Sequence, residues 1–293
     1  MKSLRHTINE IESLQDLKIL VETYEDIAAI RMQQIRSSVL TNRVFVDGIR
    51  GIYSEVQFSY KKAIEKLLNQ KGTKKEYIKP DNGKEIALLI SSDTGLYGSI
   101  IPEVIRRFEE FVLKNPHTDL AVVGKVGKTL LETKYSERSF KFYEIKDITK
   151  EGESDQIRNM LLEIVGYEKI VVFHGKYETL IRQNAVMTDI STGEIQEGQE
   201  KISKKNNRYL FEPSLKKIVT YFEEEIFASL IEQSFYESEL AKYASRIIAL
   251  SDATENIKNT LSNERKAKKR ILHRIQNQKQ QETLSSISLW QSS

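Results

Sequence analysis

Two heptad patterns, one toward each end of the chain, restrict the fold more than any other feature. From the N-terminus, apolar residues fall at Leu4, Ile8, Ile11, Leu14, Leu17, Val21, Tyr24, Ile27 and Ile30, at steps of three and four. That spacing keeps one stripe of a helix apolar and predicts a coiled-coil seam. The helical signal runs past Gly48 and Gly51 to about Gln70, a rod on the order of 100 Å at 1.5 Å per residue. Toward the other end, Leu240, Tyr243, Ile247, Leu250, Thr254, Ile257 and Leu261 alternate three and four without a slip. Only four prolines occur in 293 residues, so little interrupts either helix. Two such seams separated by a compact middle bury each other most simply as an antiparallel pair. In the same phase, Glu264, Lys268, Ile271, Ile275 and Gln278 come next on the second seam. The C-terminal helix is therefore expected to outrun its partner, standing alone or inside a collar supplied by other chains.

The middle of the chain has a different pattern. The segment KGTKKEYIKPDNGKE ends the first helix with Gly, Pro and an Asn-Gly turn signal. EIALLIS (85–91), DLAVVG (119–124) and KIVVFH (169–174) are short apolar runs bounded by polar residues and glycine, as buried parallel strands are. IIPEVIRRFEEFVLK and SDQIRNMLLEIVGY between them read as helices. Strand, helix, strand predicts an α/β layer domain, Rossmann-like, inserted between all-α arms. The expected division is an N-terminal coiled-coil helix over 1–75, the α/β domain over 84–208 and a C-terminal coiled-coil helix over 209–293. TGEIQEGQEKISKKNNR, with almost no apolar content, is expected to be an exposed hairpin or loop.

Residue usage excludes several function classes. There is no cysteine, which removes disulfides, thiolate metal sites and cysteine nucleophiles together. His6, His117, His174 and His273 lie far apart with no metal-ligand spacing, so no metal or other cofactor is expected. No apolar run approaches 18 residues, which predicts a cytoplasmic chain without signal peptide or membrane insertion of its own. Charged residues make up 30% of the chain at a net charge of only +3. Arg265, Lys266, Lys268, Lys269, Arg270, Arg274 and Lys279 nevertheless crowd one segment, 264–280, against a single glutamate. With no aromatic residue interleaved for base stacking, this segment reads as a solvated helix facing an acidic protein partner, and nucleic acid is not expected.

Two glycine-containing loops invite a nucleotide reading. SSDTGLYGS (91–99) follows a predicted strand and opens a helix, where amides could hold a phosphate; a tight turn is the plainer account of its two glycines. VVGKVGKTLLE (122–132) contains Gly127-Lys128-Thr129 but has Val122 where a phosphate loop needs its first glycine. It is read as a decoy. No serine, histidine and carboxylate constellation stands out.

Local strings along nearly the whole chain resemble the gamma subunit of F-type ATP synthases. Tyr209-Leu210-Phe211-Glu212-Pro213-Ser214 is similar to the family's Glu-Pro-Ser entry into the C-terminal helix, and Arg246, Ala249 and Ala253-Thr254-Glu255-Asn256 to its Ala-x-Arg and Ala-Thr-Asp-Asn segment. Ser92-Asp93-Thr94-Gly95-Leu96-Tyr97-Gly98 resembles the Ser-Asp-x-Gly-Leu-Cys-Gly loop, and Gly124-Lys125-Val126-Gly127 the Gly-x-Lys-Gly turn. Val171-Val172-Phe173-His174-Gly175-Lys176-Tyr177 with Gln183 is similar to the strand that ends in Tyr-Asn-Lys-Phe. Arg5, Ile8, Ile11 and Gln15 keep the N-terminal spacing, and Ala28-Ala29-Ile30-Arg31-Met32 resembles Ala-Ala-x-Lys-Met displaced by three residues. The family's Tyr-Asn-Arg-x-Arg-Gln segment is replaced by the basic run, followed by the tail LSSISLWQSS. That departure points toward the divergent F-type-like complexes of mollicutes, some of them linked to gliding motility rather than proton transport.

The resemblance implies a non-catalytic rotor shaft in the axis of an α3β3 catalytic hexamer, attached to epsilon-like or other rotor subunits and held at the inner face of the membrane through its complex. It implies partner contacts at Arg5, Gln15, Arg31, Met32, Arg246, Thr254, Asn256, Lys268 and Lys269. Asp93, Gly95, Gly98, Glu212 and Pro213 are implied as structural motif positions. Two other classes stay open on the residues alone: a coiled-coil scaffold without ATPase partners, and a nucleotide-binding α/β enzyme with helical arms.

Overall fold

The computed structural model describes residues 3–69, 83–145, 153–190 and 215–291. Ten elements follow in order: α1 (Leu4–Asn69), β1 (Glu85–Ile90), α2 (Ile100–Lys114), β2 (Asp119–Val123), α3 (Lys125–Lys134), β3 (Phe140–Tyr143), α4 (Glu153–Ile164), β4 (Lys169–Tyr177), β5 (Gln183–Asp189) and α5 (Leu215–Gln291). The turn expected after Gln70, the hairpin expected over 192–208, and Glu212 and Pro213 lie outside the described residues.

The chain divides into two compact units, residues 1–29 with 247–293 and residues 30–246. Both long helices belong to both units, since the division falls inside α1 and α5 rather than at their ends. In the second unit a five-stranded sheet has the order β3-β2-β1-β4-β5. Strands β1 to β4 run parallel, and β5 returns antiparallel to β4 with Phe173 opposite Met187. The central strands are covered on both faces, as near-continuous apolar runs require. Ile86, Leu88 and Ile90 of β1 pack with Met160 and Ile164 of α4 and with Phe227, Ile231 and Phe235 of α5. Ala87 and Leu89 face the other way, onto Ile100, Val104 and Phe108 of α2 and Leu131 of α3. A stretch of the long C-terminal helix is thus one layer of the α/β domain. Pro102 sits in the first turn of α2, where its missing N–H costs no helical bond.

The α1 seam differs from the expected one. Leu17, Tyr24, Ile27 and Ile30 are 46%, 45%, 47% and 58% exposed. The buried positions are Thr7, Ile11, Val21, Ala28, Ile35, Val39, Val46, Ile49 and Tyr53, with half-buried Leu14, Lys18, Glu25, Met32 and Asn42 between them. That set alternates four and three throughout. The expected list took three consecutive steps of three from Ile8 to Leu17, nine residues or about two and a half turns, which carries a side chain to the opposite side of the helix.

The C-terminal seam holds the expected phase. In the first unit Leu250, Ile257 and Leu261 of α5 cluster with Ile11, Leu14 and Val21 of α1, and Lys258 Nζ lies 3.9 Å from Glu22. These pairings run antiparallel. In the second unit Leu240 meets Ile35 and Val39, and Ile226 meets Ile49 and Tyr53. Cover thins beyond Leu261, where Glu264, Ala267, Lys268 and Ile271 are half-buried, and then ends: residues 272–284 are all exposed, Leu272, Ile275 and Leu284 included.

Candidate functional site

In an open parallel sheet, ligands bind where the strand order reverses, at the carboxyl ends of the two strands that diverge. Here those strands are β1 and β4, and helix α5 fills the place. A Cβ on Gly175, near the end of β4, would lie 3.0 Å from Ile100 Cγ1 and 3.1 Å from Ala241 Cβ. Contacts that tight favour glycine where the helix approaches the strand. The next residue, Lys242, is 5% exposed; its Nζ donates to Ser91 O at the end of β1, 3.3 Å away, and pairs with Glu239.

The loop after β1 closes over the same helix. Arg246 Nε donates to Leu96 O at 2.9 Å and Nη2 to Gly95 O at 3.0 Å. The guanidinium also lies 3.9 Å from the ring centroid of Tyr97, a cation–π contact that adds to both hydrogen bonds. The loop turns through two left-handed residues, Leu96 at φ 67° and Gly98 at φ 58°. A Cβ on Gly98 would meet Ser245 Oγ at 2.4 Å and Ser245 O at 2.8 Å. Backbone lies on backbone there, so this glycine is required twice over.

The second glycine-containing loop is stitched to the first. Asp93 Oδ1 accepts from Lys125 N at 3.1 Å, Ser92 O from Val126 N at 2.9 Å and Ser91 Oγ from Gly127 N at 3.0 Å. The first three amides of α3 are therefore taken by protein groups, and the GKT string offers no cradle for a phosphate. Gly124, at φ 92°, allows the crossing, because a Cβ would stand 2.7 Å from Ser91 Oγ.

A partly buried ion pair ties α1 to this assembly. Arg43 Nε lies 3.1 Å from Oε1 of Glu237, whose side chain is 3% exposed. Gln233 Nε2 donates to the same oxygen at 3.0 Å, and Arg43 Nη2 donates to Tyr177 O at 3.1 Å. Close by, His174 is buried with Nδ1 3.1 Å from Gly175 O and Nε2 3.0 Å from Thr188 Oγ1. Burial pushes its pKa below the usual histidine range. At the far end of the sheet, burial and the hydrogen bond to Asp119 raise the Tyr167 hydroxyl to about 12.

The structure gathers Asp93, Gly95, Gly98 and Arg246 into this one joint. Met32 packs in the α1 seam near Ile35, Val39 and Leu240, and Arg31 Nη1 reaches Gln34 Oε1 at 3.5 Å. Thr254 is buried on the α5 seam, its Oγ1 without a partner. Arg5, Gln15, Asn256 and Lys269 are exposed and Lys268 half-buried, spread along the helices of the first unit. Lys242, Ser245 and the Arg43–Glu237 pair were not singled out from the sequence. A polar residue on a long helix reads as solvated until the topology lays a sheet against it.

Comparison with known proteins gives a consistent picture. Residues 3–271 match the profile of the family described as ATP synthase. The ATP synthase gamma chain of Pelotomaculum thermopropionicum is 22% identical over 260 residues, covering 87% of this chain and 88% of that one. That of Buchnera aphidicola subsp. Diuraphis noxia is 24% identical, covering 87% of each. Among solved structures, a rotor chain of the Euglena gracilis mitochondrial ATP synthase superposes with a TM-score of 0.63 at 14% identity, over 93% of this chain and 98% of that one. A chain of the Tetrahymena thermophila central stalk and c-ring gives 0.53 at 18% identity, over 80% and 99%. At those identities the structures speak for the fold.

Proposed function

We propose, because this chain belongs to the ATP synthase family as a gamma chain, that it is the central shaft of an F-type or F-type-like rotary ATPase and carries no catalytic site of its own. In this reading ATP is bound and hydrolysed by an α3β3 ring. Opening and closing of the ring's sites pushes an asymmetric helical pair, and the shaft biases which interface is open. The observation that carries the reading is the joint of α5 with the sheet. The place where a nucleotide-binding α/β domain would take its ligand holds Ala241, Lys242, Ser245 and Arg246 instead. This suits a domain that grips a shaft, and it argues against an independent nucleotide-binding enzyme.

Torque entering either long helix reaches the sheet through packed and hydrogen-bonded contacts rather than through a flexible linker. The exposed basic face from Arg265 to Lys279 suits acidic loops of the ring, in place of the contact segment that this sequence lacks. No helix among the described residues is long and apolar enough to cross a membrane, so attachment to a membrane comes through the rest of the rotor in this account.

Affinity purification of the tagged chain from its native cells, with identification of its partners and an ATPase assay, tests the proposal. Two homologous ATP-binding subunits and ATPase activity are expected in the eluate. The remaining partners then distinguish proton transport from motility. Recovery of the chain alone, or with unrelated proteins, refutes the shaft and leaves a scaffold.

A further inference from the structure

Within the second unit, a cavity of about 320 Å³ lies between α1 and the β4–β5 hairpin. Its floor is apolar, with Val39 and Leu240 each 1% exposed, and its rim carries Leu40 and Leu180 at 50% and 43%. Next to Leu180 on the hairpin, Ile181 is 85% exposed. Two guanidinium groups, Arg36 and Arg43, also line the cavity, as does Glu178, whose carboxylate is committed to Arg182 and Asn184. Arg43 is satisfied by Glu237 and Tyr177 O. Arg36 is exposed and makes no hydrogen bond or ion pair with any described residue. Seven residues are about two turns, so the same line of α1 continues to half-buried Arg50, whose buried Nε also lacks a partner. A single exposed leucine or arginine is ordinary. A hollow of mixed polar and apolar lining, rimmed by exposed leucines and with an uncommitted guanidinium beside it, has the make-up of a binding surface.

We propose that this cavity docks an acidic, apolar segment of a neighbouring subunit, an apolar side chain entering against Val39, Leu40 and Leu180 while an adjacent carboxylate pairs with Arg36. The proposal rests on the shaft reading and names one of its contacts. The charge of the free group sets the sign of the partner, and a planar guanidinium suits a carboxylate bidentately. A free small anion fits less well, because it would leave the apolar floor empty and face only one uncommitted cation. A peptide carrying both a carboxylate and an apolar side chain satisfies the two halves of the site together. The exposed hairpin tip, with Leu180 and Ile181, extends the apolar contact beyond the cavity.

The test places a benzophenone-bearing amino acid at Leu180 in the complex isolated from native cells, irradiates it and maps the linked peptide by mass spectrometry. Leu113, 76% exposed on α2, serves as the control position. The expected adduct joins Leu180 to one subunit, at a segment with Asp or Glu beside the linked apolar residue. Arg36→Glu should lower its yield about tenfold and Arg36→Lys less. Because Arg36 is exposed, circular dichroism of both variants should be unchanged. A complex that contains its ATP-binding subunits but gives no Leu180 adduct, an adduct to a basic segment, or a yield indifferent to Arg36→Glu overturns the docking site alone. A chain recovered without such subunits overturns the shaft and this contact with it.

Discussion

Arg246 shows how much a single side chain carries at the joint. Its guanidinium satisfies two carbonyls of the Asp93–Gly98 loop and stacks on Tyr97. Arg246→Ala should cost about 2–3 kcal/mol in urea unfolding, with Arg246→Lys recovering only part, since an ammonium cannot reproduce the fork. Gly98→Ala should be at least as costly. Trimming Ser245 to glycine in the same chain should not rescue it, because the clash with Ser245 O is backbone. His174 adds a pH dependence. Its folded pKa is lowered by burial, so below the ordinary histidine value of about 6.5 the unfolded chain takes up a proton that the folded chain resists. Stability is full above that pH and should fall as pH drops below it, by up to about 1.4 kcal/mol per unit; His174→Gln should flatten that slope. Of these residues, the loop string with Asp93, Gly95 and Gly98 was legible in the sequence together with Arg246. What they share was not, because 150 residues separate Arg246 from the carbonyl of Leu96 and no local pattern announces that distance.

At the level of elements, burial on both faces decided what could be read. Strands β1, β2 and β4 stand out as apolar runs because helices cover both sides of them. Strands β3 and β5 were missed: FKFY is half-buried at every position, and QNAVMTD mixes polar residues on an edge. The α1 seam was misread because its true line runs through Thr7, Lys18, Glu25 and Asn42, while exposed leucines and isoleucines drew the pattern aside. Val21→Asn, where the true and expected lines coincide, should destabilise the isolated chain by about 2 kcal/mol or more, whereas Ile27→Asn, on the expected line alone, should change it by less than about 0.5 kcal/mol. Gly48 and Gly51 offer a second check on α1. Nothing lies within 4 Å of a Cβ at either position, so each should accept alanine with a gain of about 0.5–1 kcal/mol, read by thermal unfolding.

At the level of the whole molecule, the long helices do two jobs along their length. Between residues 30 and 246 they are packed and hydrogen-bonded into a three-layer domain; in the other unit they bury a narrow seam on each other and then α5 continues alone. The basic stretch, partly covered as far as Ile271 and solitary beyond it, is where a surrounding ring would be felt first. Reversing Lys268 and Lys269 to glutamate should weaken coupling between ATP hydrolysis and rotation without altering the fold of the chain, and unchanged rotation would remove this segment from the account. The most direct test of the shaft itself uses the absence of cysteine from the chain. Leu113→Cys, on the exposed face of α2, supplies the chain's only thiol for a visible marker on the assembled, immobilised complex. ATP-driven, unidirectional rotation of that marker is expected. A complex that hydrolyses ATP at its full rate while the marker stays still would contradict it.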